Sequence, residues 1–226
     1  MGLKNEIILD KIILYSYFRS SASYRVRLGL ALKELPYVYH GVHLLKEGGL
    51  QKKADYAALN PMKHVPTLIH RTEKGDFVLS ESMAILKYLD AVKETPLLFP
   101  KDPQKEARVL QLCEVINSGI QPLQNLKVQQ YLVNNGLGEE GKKRWTLHWV
   151  TEGLKALDLM MEKTAGTHAV GDAWSAADCL LIAQVFSSER VGVTLEAFPT
   201  LKRVYEKLKD HPAVTKAHPA HQPDSE

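Results

Sequence analysis

Apolar and polar positions along the chain keep two different rhythms, and the change comes near residue 100. Before it, short apolar runs alternate with helical stretches. "KIILYSY" (11–17) predicts a strand. It is followed by a helix over Ser23–Lys33 with Val26, Gly29, Leu30 and Lys33 on one side, and "LPYVYHGV" predicts a second strand. A strand, a helix and a strand within about 30 residues make a βαβ unit, which requires a parallel pair. A helical stretch is predicted around Leu50–Leu59, then a hairpin of "HVPTLIH" and "DFVLS" about the turn "EKGD". "SESMAILKYLDAV" closes this half as a helix with Ile85, Leu86 and Leu89 inward.

"KETPLLFPKDP" (93–103) holds three prolines in eleven residues, the mark of a linker. Beyond it the period is helical throughout. Asp102-Pro103 suits the N-cap and first position of a helix running towards Asn135, interrupted at "NSGIQPLQN" by Gly119 and Pro122. Further helices are predicted over Glu139–Lys163, from Ser175 with Asp178 as a capping box and Trp174 and Cys179 in staple positions, and over Thr200–Asp210, before a tail rich in Pro and His. The order βαβ-α-ββ-α is the thioredoxin-like arrangement, with Pro66 opening the third strand where that fold usually carries a cis-proline. The expectation is an α/β thioredoxin-like domain over residues 1–93, a linker over 94–103 and an all-α domain over 104–226.

Composition narrows the classes. With 226 residues, 45% apolar and 24% charged, the chain reads as soluble and globular. A formal charge of +3, with Lys52-Lys53 and Lys142-Lys143 each close to acids, predicts solvated faces rather than a nucleic-acid surface. No apolar run reaches the ~20 residues of a membrane span. Cys113 and Cys179 stand 66 positions apart in amphipathic stretches and read as core residues, not as a disulfide or a zinc site. "MGLKNEIILD" shows no signal peptide, and Glu6 stands where a myristoylation motif at Gly2 wants Ser or Thr. A cytoplasmic protein without a metal is expected.

Candidate chemistry sits at two helix starts. Where a thioredoxin-like oxidoreductase places CxxC, this chain reads Ser20-Ser21-Ala22-Ser23, so its own side chains cannot exchange disulfides. A hydroxyl beside a helix N-terminus favours an anion, and a thiolate brought by a ligand suits the place. Ser21 and Ser23 read first as N-caps; Ser20 is the candidate for chemistry. At Glu81-Ser82, backbone N–H groups and the Ser82 hydroxyl suit a carboxylate while Glu81 suits an ammonium, so the pair matches a zwitterionic amino-acid group. Val65, read as backbone at an unpaired strand edge, suits an extended peptide.

"YFRSSASYRVRLGLAL", "LNPMKHVPTLI", "LSESMAILKYLD", "SGIQPLQNL", "VGDAWSAADCLL", "SSERVGV" and "HPAHQPD" resemble the zeta-class glutathione transferases, the family of the maleylacetoacetate isomerases, from about Lys11 to Asp224. The resemblance implies glutathione as cofactor and a homodimer. Ser20, with Ser21 beside it, would serve the glutathione thiolate. Val65 before a cis-Pro66 would bond the cysteinyl backbone, and Glu81 and Ser82 would hold the γ-glutamyl zwitterion, with Gln51, His64, Gln121 and Asn125 around the tripeptide. Arg190 would bind a substrate carboxylate, with Arg19 nearby. The family's usual cysteine is here Ala22, which removes a thiol beside the ligand. The implied reaction is reversible thiolate addition to a cis double bond conjugated to a carbonyl, rotation and elimination to the trans isomer. The implied substrate is maleylacetoacetate, an acidic diketo compound of tyrosine and phenylalanine catabolism. Alternatives are maleylpyruvate, small α-halo acids, or a non-catalytic interaction module of the same fold.

Overall fold

The computed structural model of the protein describes residues 11–226, so the readings of "MGLKNEIILD" lie outside the described residues. Strand β1 (Lys11–Ser16) leads into helix α1 (Ser21–Leu32) and strand β2 (Tyr37–Gly41), parallel to β1. Short 3-10 turns precede α2 (Ala54–Leu59). The hairpin β3 (Thr67–Thr72) and β4 (Gly75–Ser80) follows, and α3 (Ser82–Val92) ends this half. β3 runs antiparallel to both β1 and β4, giving the order β2-β1-β3-β4 and the thioredoxin-like fold expected from the element order.

Helix α1 is not one-sided. From Ser21 to Leu30 only Ala22 is partly accessible, because the helix lies between two cores. Val26 and Leu30 pack with Ile12, Leu14, Leu68, Ile85 and Leu89 of the sheet and α3. Tyr24 and Leu28 pack with Leu112, Ile116, Val150 and Leu180 of the helical half. Gly29 lets α3 approach: a Cβ there would stand 2.5 Å from Leu86 Cδ2.

The helical half opens with α4 (Pro103–Glu114), where Asp102 caps the Lys105 amide at 2.8 Å and Pro103 is the first residue. Around Gly119 and Pro122 the helix widens into a π turn over Val115–Ile120 and a 3-10 turn over Gln121–Gln124. It resumes as α5 (Leu126–Leu132). Then come α6 (Gly138–Met161), α7 (Ala176–Glu189), α8 (Pro199–Leu208) and α9 (Pro212–Ala217). The capping box of Ser175 and Asp178 is present at α7, and both cysteines are free and buried. Lys52, Lys53 and Lys143 are exposed and Lys142 partly so, with Lys53 pairing with Glu47, Lys142 with Glu139 and Lys143 with Glu140. No helix among the described residues is long and apolar enough to cross a membrane.

Four expectations need correction. The first helix starts at Ser21, not Ser23, since Ser20 supplies the cap. The stretch Leu50–Leu59 breaks at Lys53, whose backbone is extended. The linker is a packed wedge: Leu98 and Phe99 are buried, and their amides donate to the Asp90 carboxylate. Buried Lys33, paired with Asp90 at 2.6 Å, donates to the carbonyls of Lys93 and Pro96. The tail contains α9, whose Ala213, Val214 and Ala217 are buried, and Asp224 accepts from the Phe18 amide and the Tyr39 hydroxyl.

Candidate active site

A cleft of about 610 Å³ opens between the two halves, within the usual size range of small-ligand sites. Ser20, Ser21, Gln51, His64, Val65, Pro66, Glu81, Ser82, Gln121, Asn125, Arg190 and Arg19 all line it. These residues come from the first positions of α1 and α3 and from six connecting segments, the last of them directly after α7, so only the tertiary fold brings them together.

Ser20 is the N-cap of α1. Its Oγ accepts from the Ser23 amide at 3.2 Å, which uses a lone pair and leaves the hydroxyl proton free to donate. Ser21 is buried in the first turn. Ser23 is no cap: its Oγ is buried and has no hydrogen-bond partner among the described residues. Ala22 lines the cleft where it adds no polar group.

Val65 does not lie on a strand edge. β3 is an inner strand that begins at Thr67, after a cis Val65–Pro66 bond, so neither Val65 nor Pro66 belongs to the ladder. Its amide is nevertheless without a hydrogen-bond partner among the described residues. The segment is held from behind, the His64 carbonyl accepting from Tyr56 Oη at 2.5 Å and Asn60 Nδ2 at 2.9 Å. The His64 imidazole is half-buried, and burial pushes its pKa below the ordinary histidine value. Lys127 adds to that fall and Glu81 opposes it.

Glu81 holds a positive φ of 70°, a conformation that costs a non-glycine residue free energy, and its carboxylate does not cap α3. Ser82 is buried at the first position of α3, where the amides lack partners within the helix. Its Oγ accepts from Nη1 of Arg25 at 3.1 Å, and the same nitrogen donates to Asn117 Oδ1 at 2.8 Å. Gln51 is buried, with Nε2 on the Leu44 carbonyl. Gln121 opens the 3-10 turn, while Asn125 caps α5 by accepting from the Lys127 amide.

Arg190 ends α7 with its guanidinium 5.7 Å from the Phe186 ring centroid, and no ion pair with Glu189 forms. Burial lowers its pKa and Arg19, which also lines the cleft, lowers it further. Arg25, Asn117, Lys52, Lys63 and Lys127 also line the cleft and were not singled out from sequence. The available signal was the pair Arg25 and Arg27 inside an otherwise apolar helix.

The glutathione S-transferase N-terminal domain family matches residues 19–92, and the C-terminal domain family of the same proteins matches residues 126–217. A protein named "Probable maleylacetoacetate isomerase 2" from Drosophila melanogaster is 43% identical over 94% of this chain and 89% of its own. A crystal structure of the maleylacetoacetate isomerase of Anaeromyxobacter dehalogenans, with glutathione bound in its active site, superposes with a TM-score of 0.88 at 40% identity, covering 96% of this chain and 99% of that one. The holo structure of a maleylpyruvate isomerase, a bacterial zeta-class glutathione transferase, gives 0.87 at 34% identity over 95% of this chain and 100% of its own.

Proposed function

The chain belongs to the glutathione S-transferase family, in its zeta class, and from that premise we propose that maleylacetoacetate is its substrate. It is a glutathione-dependent cis–trans isomerase, and glutathione is its cofactor. The observation that carries the substrate reading is the sign of the cleft. Arg19, Arg25, Lys52, Lys63, Lys127 and Arg190 line it against one carboxylate, Glu81. Such a site concentrates and holds anions.

The residues fit the tripeptide. Glu81 meets the ammonium of the γ-glutamyl group, and the Ser82 hydroxyl with the first amides of α3 meets its carboxylate. The unpaired Val65 amide meets the cysteinyl backbone, beside Pro66. Gln51, His64, Gln121 and Asn125 surround the rest. When bound, glutathione supplies a thiolate able to add reversibly to a conjugated cis double bond. Ser20 donates its free hydroxyl proton to that sulfur, with Ser21 beside it in the first turn of α1, so the charged form is favoured. Arg190 and Arg19 orient the substrate by a carboxylate and bring its double bond to the Ser20 end of the cleft.

We place the enzyme in the cytoplasm as a homodimer. Phe77 and Val78 of edge strand β4 and Leu110 of α4 are exposed apolar residues that support pairing. The deciding assay follows maleylacetoacetate and maleylpyruvate spectroscopically, each with and without glutathione. Turnover that requires glutathione and favours maleylacetoacetate supports the reading. Preference for maleylpyruvate moves the substrate, and failure to be retained on immobilised glutathione would indicate a non-catalytic module.

A further inference from the structure

Tyr17 follows β1 directly and lines the cleft with Arg19, Ser20 and Arg190. Its ring is locked in place. Phe18 and His43 meet it edge-on, with centroids 4.9 Å and 4.8 Å away, and it packs in one cluster with Val42, Tyr56 and Val65. Its backbone is fixed as well, the carbonyl accepting from the Ser20 amide at 3.0 Å and from Nη1 of Arg27 at 3.3 Å. Only 5% of the residue is exposed, and a buried tyrosine normally finds a partner for its hydroxyl. This hydroxyl makes no hydrogen bond among the described residues, and its oxygen is not sealed from solvent, so it opens on the cleft. A rigid side chain with one uncommitted donor is thus presented to whatever binds there.

The position of that donor singles out one part of the reaction. Tyr17 shares its cluster with Val65, proposed to hold the cysteinyl backbone, and starts the turn of Ser20, proposed to hold the sulfur. It is anchored to both seats of the reacting residue of glutathione. Burial raises its pKa above the ordinary tyrosine value, with Glu226 and Asp224 adding to the rise. Arg19 and Arg190, proposed to hold a substrate carboxylate, are near enough to oppose it. The phenol is therefore a neutral donor at physiological pH, not a base.

When the conjugated cis double bond is attacked, a carbon–sulfur bond forms and the double bond's electron pair moves onto the carbonyl oxygen. After rotation the pair returns, the carbonyl reforms and the bond to sulfur breaks, so no proton is gained or lost. The charge that collects on that oxygen needs a fixed donor. Ser20 is committed to the sulfur, and Arg19 and Arg190 to the carboxylate. We infer that Tyr17 is a further catalytic residue, whose hydroxyl donates a hydrogen bond to the substrate's carbonyl oxygen as negative charge develops there. The inference rests on the isomerase reading and its seats at Ser20, Val65 and Arg190.

The test is Tyr17→Phe, which keeps the ring and removes only the hydroxyl. With maleylacetoacetate and glutathione, kcat should fall by about 10- to 100-fold, the range of one hydrogen bond to a charged group. Glutathione affinity, the thiol pKa of bound glutathione and the melting temperature should hold. A second readout needs no turnover. The nitronate of 3-nitropropanoate carries a carboxylate for the arginines and a planar oxyanion for Tyr17, whereas butanoate carries the carboxylate alone. Calorimetry on enzyme saturated with S-methylglutathione should show that wild type prefers the nitronate and that Tyr17→Phe loses the preference. A loosened fold would weaken both ligands together, so this ratio also decides if the variant melts early. An unchanged kcat, or a preserved nitronate preference, overturns the inference and leaves the isomerase reading standing. A kcat loss accompanied by a higher thiol pKa also overturns it, since the hydroxyl would then serve the sulfur. A wild type that isomerises neither maleylacetoacetate nor maleylpyruvate overturns the reading and the inference alike.

Discussion

Ser20 has one hydrogen-bonding role filled, as acceptor at the start of α1, and its proposed contact to the thiolate rests on the hydroxyl proton that this leaves unused. As acceptor it caps α1, and as donor it remains free toward the cleft. The two roles separate by substitution. Ser20→Asn keeps a good cap without a hydroxyl, whereas Ser20→Ala loses both, at about 1 kcal/mol of stability for the cap. Both variants should raise the thiol pKa of bound glutathione, which in wild type is expected below the ~8.5 of a free thiol, and cut turnover by up to ~100-fold. Thiolate absorbance against pH reads the first effect, and only the alanine variant should also lose melting temperature. Superimposable titrations would leave the backbone as the sole holder of the thiolate. Ser23 behaves oppositely: with a buried, unpartnered hydroxyl, Ser23→Ala should leave the melting temperature unchanged or raise it slightly. Arg190 lies over Phe186 instead of pairing with Glu189. Arg190→Ala should therefore raise the substrate KM about tenfold or more while glutathione affinity and melting temperature hold; a fall in melting temperature alone would make the residue structural. Every residue proposed from its motif lies in the cleft, but Arg25 was not legible. Nothing in "SYRVRL" reveals that α1 is enclosed on all sides, and only enclosure turns a surface-type arginine into an unpaired charge.

Elements were legible where period and local chemistry agree. The capping boundaries at Asp102 and Ser175, the hairpin and the interruption at Gly119 and Pro122 follow from short-range signals, which the structure keeps. What escaped is long-range. The position of β3 inside the sheet depends on its pairing with β1, so Val65 could not be distinguished from an edge residue. The six-residue α9 is too short for a period and is held by its contact with α1. The tail has a consequence for the site, since Asp224 accepts from the Phe18 amide at 3.2 Å and from Tyr39 Oη at 2.6 Å, two residues before Ser20 in the first case. Asp224→Ala should remove both bonds, lowering stability by about 1–3 kcal/mol. Because the loop leading to Ser20 is loosened while Glu81 and Ser82 are untouched, kcat should fall with little change in glutathione affinity. Hydrogen exchange at the Phe18 amide is the check, and exchange as slow as in wild type would mean that Arg27 alone holds the loop.

At the scale of the whole molecule the linker wedge sets how the halves unfold. Lys33 and Asp90 belong to α1's end and α3, but their remaining hydrogen bonds go to the chain between residues 93 and 99. The core joining Tyr24, Leu28 and Leu86 to α4, α6 and α7 crosses the same boundary. One cooperative transition is therefore expected, since neither half owns a complete core. Removing one member of a buried pair costs about 3–5 kcal/mol, and Asp90→Ala should reach that range because two amides lose their acceptor with it. A double replacement, Lys33→Met with Asp90→Ala, often relieves a buried pair by leaving neither charge behind. Here it should give little relief, as the buried Leu98 and Phe99 amides and the partly buried carbonyls of Lys93 and Pro96 would all lose their partners. Urea unfolding can be followed by two probes. Trp145, Trp149 and Trp174 all lie in the helical half, so their fluorescence reports that half, and glutathione binding, whose proposed seat is mostly on Ser20, Val65, Glu81 and Ser82, reports chiefly the other. The two curves should coincide in wild type. In Asp90→Ala they should shift to lower urea, with glutathione binding lost before the fluorescence change, because the wedge anchors α1 and α3 more than it anchors α7. Coincident curves at the wild-type midpoint would show that the shared core alone couples the halves, and that Lys33 and Asp90 contribute nothing net to the coupling.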